Sequence, residues 1–199
     1  MKIGIIGAGN IGRTLGQTWA AAGHDVAYGV RTPDDPKHAA LTASGAVVAL
    51  AAAVAQADVL VLSLPGQAVA QFAADMGDAL NGKVVIDATN NVGAPVHNTL
   101  DVLAAAAPGA RLVRAFSTLG WENFAAPTLN GEQIDLFYCG DARARDTADA
   151  LIGAVGLRPV YVGGVDAAAI VDGMTRLWFT LAFQQGYGRR IAFKLQMER

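Results

Sequence analysis

The 199-residue chain holds a single cysteine, Cys139. One thiol excludes an intrachain disulfide framework and a cysteine-rich zinc site, and it fits a reducing cytoplasm. Charge is scarce as well: 16% of residues are charged, with 15 Lys and Arg against 17 Asp and Glu. A net charge of −2 without a basic run excludes a nucleic-acid-binding face. Long apolar runs are missing. The most apolar stretch, residues 46–64, is interrupted by Gln56 and Asp58, whereas a membrane-spanning helix needs about 20 apolar residues. Lys2 precedes an apolar run, but that run contains Gly4, Gly7, Gly9 and Gly12, leads to Arg13 and lacks a small-residue cleavage site. It reads as the first strand and turn of a fold rather than a secretion signal. The three histidines, His24, His38 and His97, have no ligand spacing, so no metal site is expected. A G-x-S-x-G nucleophile elbow is also lacking.

Hydrophobic residues are plentiful at 53%, which argues for extensive burial and against disorder. Their spacing alternates between two patterns. Short apolar runs read as strands: 2–7, 25–30, 46–48, 59–64, 84–87, 111–115, 134–139 and 158–162. Between them lie helical spacings, beginning with Ile11, Leu15, Trp19 and Ala22, which Gly23 terminates. Asp35-Pro36 pairs a good N-cap with a good first helical residue, so a helix is expected there. Further helices are expected at 50–56, 67–80, 98–107, 142–154 and 167–185, with a shorter one after the Gly186–Gly188 break and a long loop over 116–131. Apolar strands alternating with helices mean an α/β fold, a doubly wound, mostly parallel sheet covered on both faces. The expected division is a dinucleotide-binding Rossmann domain over 1–163 and a C-terminal helical extension over 164–199.

Gly7-Ala8-Gly9-Asn10-Ile11-Gly12 is G-x-G-x-x-G, placed after a strand and opening a helix. In that context Gly7 permits the tight turn, Gly9 lets a pyrophosphate approach the backbone, and Gly12 lets helix and strand pack closely. The free N–H groups of Asn10, Ile11 and Gly12 then face the diphosphate. At the end of the second strand an NAD site places Asp or Glu. Here Arg31-Thr32 follow Val30 instead, a cation and a hydroxyl suited to a 2′-phosphate, which points to NADP. Asp34 and Asp35 read as turn and cap residues.

Ligands of open α/β sheets bind outside the carboxyl ends of the strands. Those ends are Ser63-Leu64-Pro65, Asp87 to Asn91, and Phe116-Ser117-Thr118. Asn90 and Asn91 are candidates for contact with the cofactor carboxamide or the acceptor; turn chemistry explains them equally well. Asp87 reads as a capping residue, His97 as an exposed turn histidine and Cys139 as a packed apolar side chain. Trp178, Phe179 and Phe183 read as core or subunit interface, which suggests a homodimer.

Together with MKIGIIGAGNIGRTLG, the segments Asp87–Asn91, Arg114–Gly120, Phe137–Asp141, Arg176–Phe179 and Phe193–Leu195 carry a resemblance over nearly the whole chain. The chain resembles the small dinucleotide-binding oxidoreductases related to coenzyme F420-dependent NADP oxidoreductase. The resemblance implies an NADP-dependent oxidoreductase in which the nicotinamide meets a deazaflavin or flavin-like ring. It implies a phosphate turn at Gly9 to Gly12, a 2′-phosphate site at Arg31 and Thr32, and a nicotinamide side at Ser63, Leu64 and Pro65. Relatives often read A-F-N-T where this chain has Ala115-Phe116-Ser117-Thr118, a departure on the acceptor side. Asn91, Phe116, Ser117 and Trp121 are the acceptor-facing candidates, with Phe116 and Trp121 as a stacking wall and no side chain as obligatory acid or base. Reduction of a small carbonyl or imine, which needs a proton donor, and sensing of NADP(H) without turnover are the competing readings.

Overall fold

The computed structural model describes residues 1–198. The strand β1 (Lys2–Ile6) runs into the helix α1 (Asn10–Ala21), whose Leu15, Gly16 and Trp19 are buried. After β2 (Asp25–Val30), Asp35 caps a 3₁₀ segment over Pro36–Leu41 by accepting from the Lys37 N–H. The expected helix there is only this short. Then follow β3 (Ala46–Ala49), α2 (Leu50–Gln56), β4 (Val59–Leu62), α3 (Val69–Leu80), β5 (Val84–Asp87), α4 (Leu100–Ala106) and β6 (Arg111–Arg114). The segment expected as a loop contains a short helix, α5 (Trp121–Ala125), and a two-residue hairpin, β7 (Thr128–Leu129) with β8 (Glu132–Gln133). The chain closes with β9 (Asp135–Gly140), α6 (Arg145–Ala154), β10 (Arg158–Gly163), α7 (Ala168–Phe179) and a π-helical turn over Thr180–Gln184.

Eight strands form one sheet in the order β3-β2-β1-β4-β5-β6-β9-β10. The first six follow the doubly wound order in which the chain reverses between β1 and β4. All neighbours are parallel except β6 and β9, where Arg114 stands opposite Cys139. Antiparallel pairing needs no crossover helix on the sheet face. The segment between these strands need not cross the sheet, and its helix α5 packs beside α1.

Two apolar layers cover the sheet. One joins Ile3, Ile5, Val61 and Ile86 to α1, α5 and α6; the other joins Ile6, Leu60, Leu62 and Val85 to α2, α3 and α4. Strand residues alternate between the layers because their side chains point to opposite faces. Trp19 ties α1 to α6 through its Nε1–H, which donates to the Leu151 carbonyl at 2.9 Å. Cys139 packs in the second layer, where burial pushes its thiol up to about 12. The helix α7 belongs to both layers: Ala168 and Val171 lie in the second and Trp178 in the first, joined there by Ala182 of the π-helical turn. It thus crosses the carboxyl end of the sheet near β5 and β6. No helix among the described residues is long and apolar enough to cross a membrane.

The short helix expected after Gly188 does not form. Residues 187–198 run as an irregular strap whose polar groups are satisfied by other elements. The Trp178 Nε1–H and the Asn123 amide donate to the Ile191 and Arg189 carbonyls, both at 3.1 Å. Arg190 donates to the carbonyls of Glu122, Ala126 and Thr128. At the far end Asp135 accepts from Arg158 and from the Leu195 N–H at 2.7 Å. Burial opposes the ionisation of Asp135, but Arg158, the Leu195 N–H and Lys194 outweigh it and hold the carboxyl below its ordinary value. Such a group stabilises the fold above its unfolded pKa of about 4, and that stability disappears as pH falls through the lower folded value. Asp135→Asn is expected to remove about 1–2 kcal/mol at pH 7 and to flatten the loss of stability in acid. Urea unfolding at pH 7 and at pH 3 measures both; equal acid sensitivity in variant and wild type would refute this role.

Candidate functional site

Where β1 ends, Gly7 adopts φ 109°, a left-handed conformation that favours glycine. The chain turns there toward α1. The Ser63 side chain, just past β4, locks the turn: its Oγ donates to the Gly7 carbonyl at 2.7 Å. Gly12 packs against the same spot, and a Cβ on it would lie 2.1 Å from the Gly7 oxygen. Gly9 is different. It is the N-cap of α1, no side chain caps the helix, and a Cβ on it would meet nothing within 4 Å. A helix N-terminus with bare N–H groups, a positive dipole end and no acid in its first turn is a cradle for an anion.

The cradle opens into a cavity of about 870 Å³. Gly7, Ala8 and Arg13 line it on the α1 side, Gly29 to Thr32 at the end of β2, and Leu64 and Pro65 after β4. Lys37 and His38 add cationic and polar groups near Arg31, and Gln71, Asp75 and Met76 of α3 form the opposite wall. Arg31 and Thr32 are exposed, and Arg31 makes no ion pair among the described residues. Lys37 is tied to Asp35 at 2.6 Å. Asp35 is thereby engaged in capping and pairing, as its place in the sequence suggests. No carboxylate stands at the end of β2 to receive ribose hydroxyls.

At the ends of β5 and β6 the arrangement differs from expectation. Phe116 is fully buried, edge-on between Trp19 and Phe124 at 5.6 Å from each ring. Its φ of 60° turns the chain inward directly after β6. A core ring offers no face to a ligand, so Phe116 is corrected from stacking wall to core. Trp121 begins α5 and packs, partly buried, against the same layer. Ser117 is buried beneath α7, with its hydroxyl 3.4 Å from that of Thr175. Asn91 is half-buried, donates its N–H to the His97 carbonyl at 3.0 Å and packs on Gly66. None of these lines the large cavity, and neither does Asn90. His97, expected at the surface, is buried, with no partner for Nδ1 among the described residues. Burial, assisted by Arg176 and Arg114 and opposed by Asp172, lowers its pKa, so the ring is neutral at pH 7.

Sequence reasoning missed Arg114 and Asp172. The Arg114 guanidinium has no exposure and touches both Asp87, at 3.5 Å, and Asp172 of α7, at 3.0 Å. It also donates to the carbonyls of Asp87 and Thr89 and to the Asn90 side chain. Asp87 accepts from the N–H groups of Thr89 and Thr99, which confirms it as a cap. One signal was available: Asp87 and Arg114 end two apolar strands and stand opposite each other in register. Nothing local marked Asp172 as the third member.

The chain's residues 2–91 match the family model for coenzyme F420-dependent NADP oxidoreductase. Similarity extends further to the F420-dependent NADP reductase of Methanothermobacter thermautotrophicus, 31% identical over 91% of this chain and 89% of the relative. Among solved structures, a candidate F420-dependent NADP-reductase from Arthrobacter sp. FB24 superposes with a TM-score of 0.83. It is 23% identical, and the match covers 99% of this chain and 100% of that one. A reductive aminase from Aspergillus terreus shares the fold with a TM-score of 0.72 at 23% identity; 93% of this chain covers 62% of it.

The two turn glycines separate stability from ligand access. Gly12→Val is expected to destabilise the fold by about 3 kcal/mol or more, because its Cβ must displace backbone. Gly9→Val should unfold within a few degrees of wild type, since its side chain enters open space. Thermal unfolding of the two variants checks this, and similar losses in both would refute the geometry.

Proposed function

The chain belongs to the F420-dependent NADP oxidoreductase family and is an NADP-dependent oxidoreductase, and from that premise we propose that the cavity holds NADP(H) for hydride exchange with a planar ring acceptor, a deazaflavin or flavin. The observation that carries the proposal is the open N-terminus of α1 facing a cavity whose β2 end bears Arg31 and Thr32 in place of a carboxylate. The residues fit the cofactor. The N–H groups of Asn10, Ile11 and Gly12 would hold the pyrophosphate, in the space that a Cβ on Gly9 would fill. Arg31 and Thr32, with Arg13 and Lys37 close by, would hold the 2′-phosphate. Ser63, Leu64 and Pro65 would border the nicotinamide, with Asn90 at its far side. When bound, the cofactor supplies or receives the hydride. The protein's part is then to orient two rings and exclude water, and orientation alone is worth about 7–11 kcal/mol of barrier. Asn91 and Trp121 remain our candidates for the acceptor side.

The groups at the ends of β5 and β6 suit such a reaction. Beyond the Asp87–Arg114 ion pair that ends these strands, the half-buried groups are the amides Asn90 and Asn91, and the adjacent His97 is neutral and buried. A carbonyl or imine reductase would need a positioned acid here. We further propose a homodimer through α7 and the turn after it, where Ile170, Leu177 and Phe183 are exposed; light scattering at micromolar concentration tests this.

Wild-type protein is expected to bind NADP⁺ more tightly than NAD⁺. Arg31→Ala should lose about tenfold for NADP⁺ and little for NAD⁺, the lower part of the range for one charge-assisted contact because Arg31 is exposed. Calorimetry with both cofactors is the measurement, and equal wild-type affinities would overturn the assignment. NADPH oxidation assayed against F420, FMN and a carbonyl panel then identifies the acceptor class; turnover with carbonyls alone would replace the ring acceptor, and tight binding without any turnover would favour a sensor.

A further inference from the structure

The buried ion cluster at the carboxyl end of β6 does more than hold α7 in place. Arg114 Nη2 donates to Asn90 Oδ1 at 3.0 Å. A guanidinium has only donors, so it fixes which end of the Asn90 amide it meets. The oxygen is engaged by a group that can only donate, which excludes the flipped amide, and the NH₂ group lies on the other side, where its partner among the described residues is the Ser117 carbonyl at a long 3.4 Å. The arginine itself cannot swing. Asp172 holds its Nε at 3.1 Å, and Asp87 and Thr89 hold Nη1 through their carbonyls. Asp172 is fixed in turn by the N–H groups of His97 and Asn98 and by the Asn98 side chain at 2.8 Å.

Asn90 is half-buried and lies three residues beyond Asp87, which stands beside Leu62 of β4 and Arg114 of β6; Pro65 and Ser117 lie three residues beyond those partners. From this we propose that Arg114 is a positioning residue that holds the Asn90 amide by its oxygen and so fixes the side on which its NH₂ lies, and that this NH₂ donates to the carboxamide oxygen of the nicotinamide. Resting on the reading of the cavity as the NADP(H) site, the assignment adds an anchor for the reactive ring. A ring held by its carboxamide oxygen presents one face to the acceptor and cannot turn over in place. Chains without the ion cluster would leave an asparagine there free to flip and to accept as readily as donate.

Asn90→Asp tests the lock with the least disturbance. It is isosteric, it keeps and strengthens the contact to Arg114, and it replaces the donor by a carboxylate oxygen that repels the carboxamide oxygen. Calorimetry is run with NADP⁺ and with adenosine 2′,5′-bisphosphate, which lacks the nicotinamide. NADP⁺ affinity is expected to fall about tenfold or more in Asn90→Asp and several-fold in Asn90→Ala, with the bisphosphate unchanged in both. Arg114→Lys retains a cation between the aspartates but loses the fork; it should lose NADP⁺ affinity alone, as Asn90→Ala does, and add nothing further in the Asn90→Ala background. Should Arg114→Lys fail to fold, Asn90→Asp decides by itself. NADP⁺ affinity in Asn90→Asp equal to wild type overturns the inference. So does an equal loss for both ligands, or an Arg114→Lys effect that persists in full without Asn90. Wild type that binds neither ligand would instead overturn the cofactor reading, and this inference with it.

Discussion

Arg114 sits at the end of β6 with no contact with solvent, between carboxylates contributed by β5 and by α7. A single ion taken out of water costs several kcal/mol, and removing one partner of a buried pair is more damaging than removing both. The guanidinium therefore demands that Asp87 and Asp172 be where they are. Asp87 in turn holds the loop that enters α4, through Thr89 and Thr99. Asp172 holds the loop before it, through His97 and Asn98. One cation thus organises the residues 87–99, the crossing of α7 and the orientation of Asn90. Apolar packing alone, which has no direction, would not specify any of the three.

The start of α1, on the other side of the crevice, relies on backbone rather than side-chain charge. Backbone N–H groups at the start of α1 provide the positive end, and the chain keeps side chains away from it: Gly9 leaves the approach open, and Ser63 braces the turn from β4. The cations that line the cavity are Arg13, Arg31 and Lys37. The two halves suit different tasks. Under the proposed reading the outer half suits phosphate groups, and the inner half suits a planar ring.

What could be read in advance follows from the range of each signal. Strand and helix periods, the glycine turn and the Asp35 cap are local, and they placed β1 to β6 and the cavity's β2 wall at the right residues. The short α5 and the hairpin after it were hidden because neither is long enough to show a period. Phe116 was misread because its neighbours in sequence, Ala115 and Ser117, lie at a strand end where ligands bind; only its left-handed backbone turns the ring into the core. The C-terminal strap was misread for a related reason. Its apolar residues Ile191, Ala192 and Phe193 pack on the first layer, but its hydrogen bonds go to α5, β8 and β9 rather than to its own backbone. Asp172 lies 58 residues from Arg114, and no spacing rule connects the two.

Because α7 supplies side chains to both apolar layers and a carboxylate to Arg114, the molecule has an order of completion built into it. A growing chain that has emerged only as far as β10 already contains every strand of the sheet. Its guanidinium then has one carboxylate instead of two, and its two layers are open at the same edge. Domains fold as units once their contacts are available, and here the last contacts come from the last fifth of the chain. Every residue lining the large cavity precedes the end of α3, so that wall is in hand early, whereas the loop over residues 97–98 and the second partner of Arg114 wait for α7.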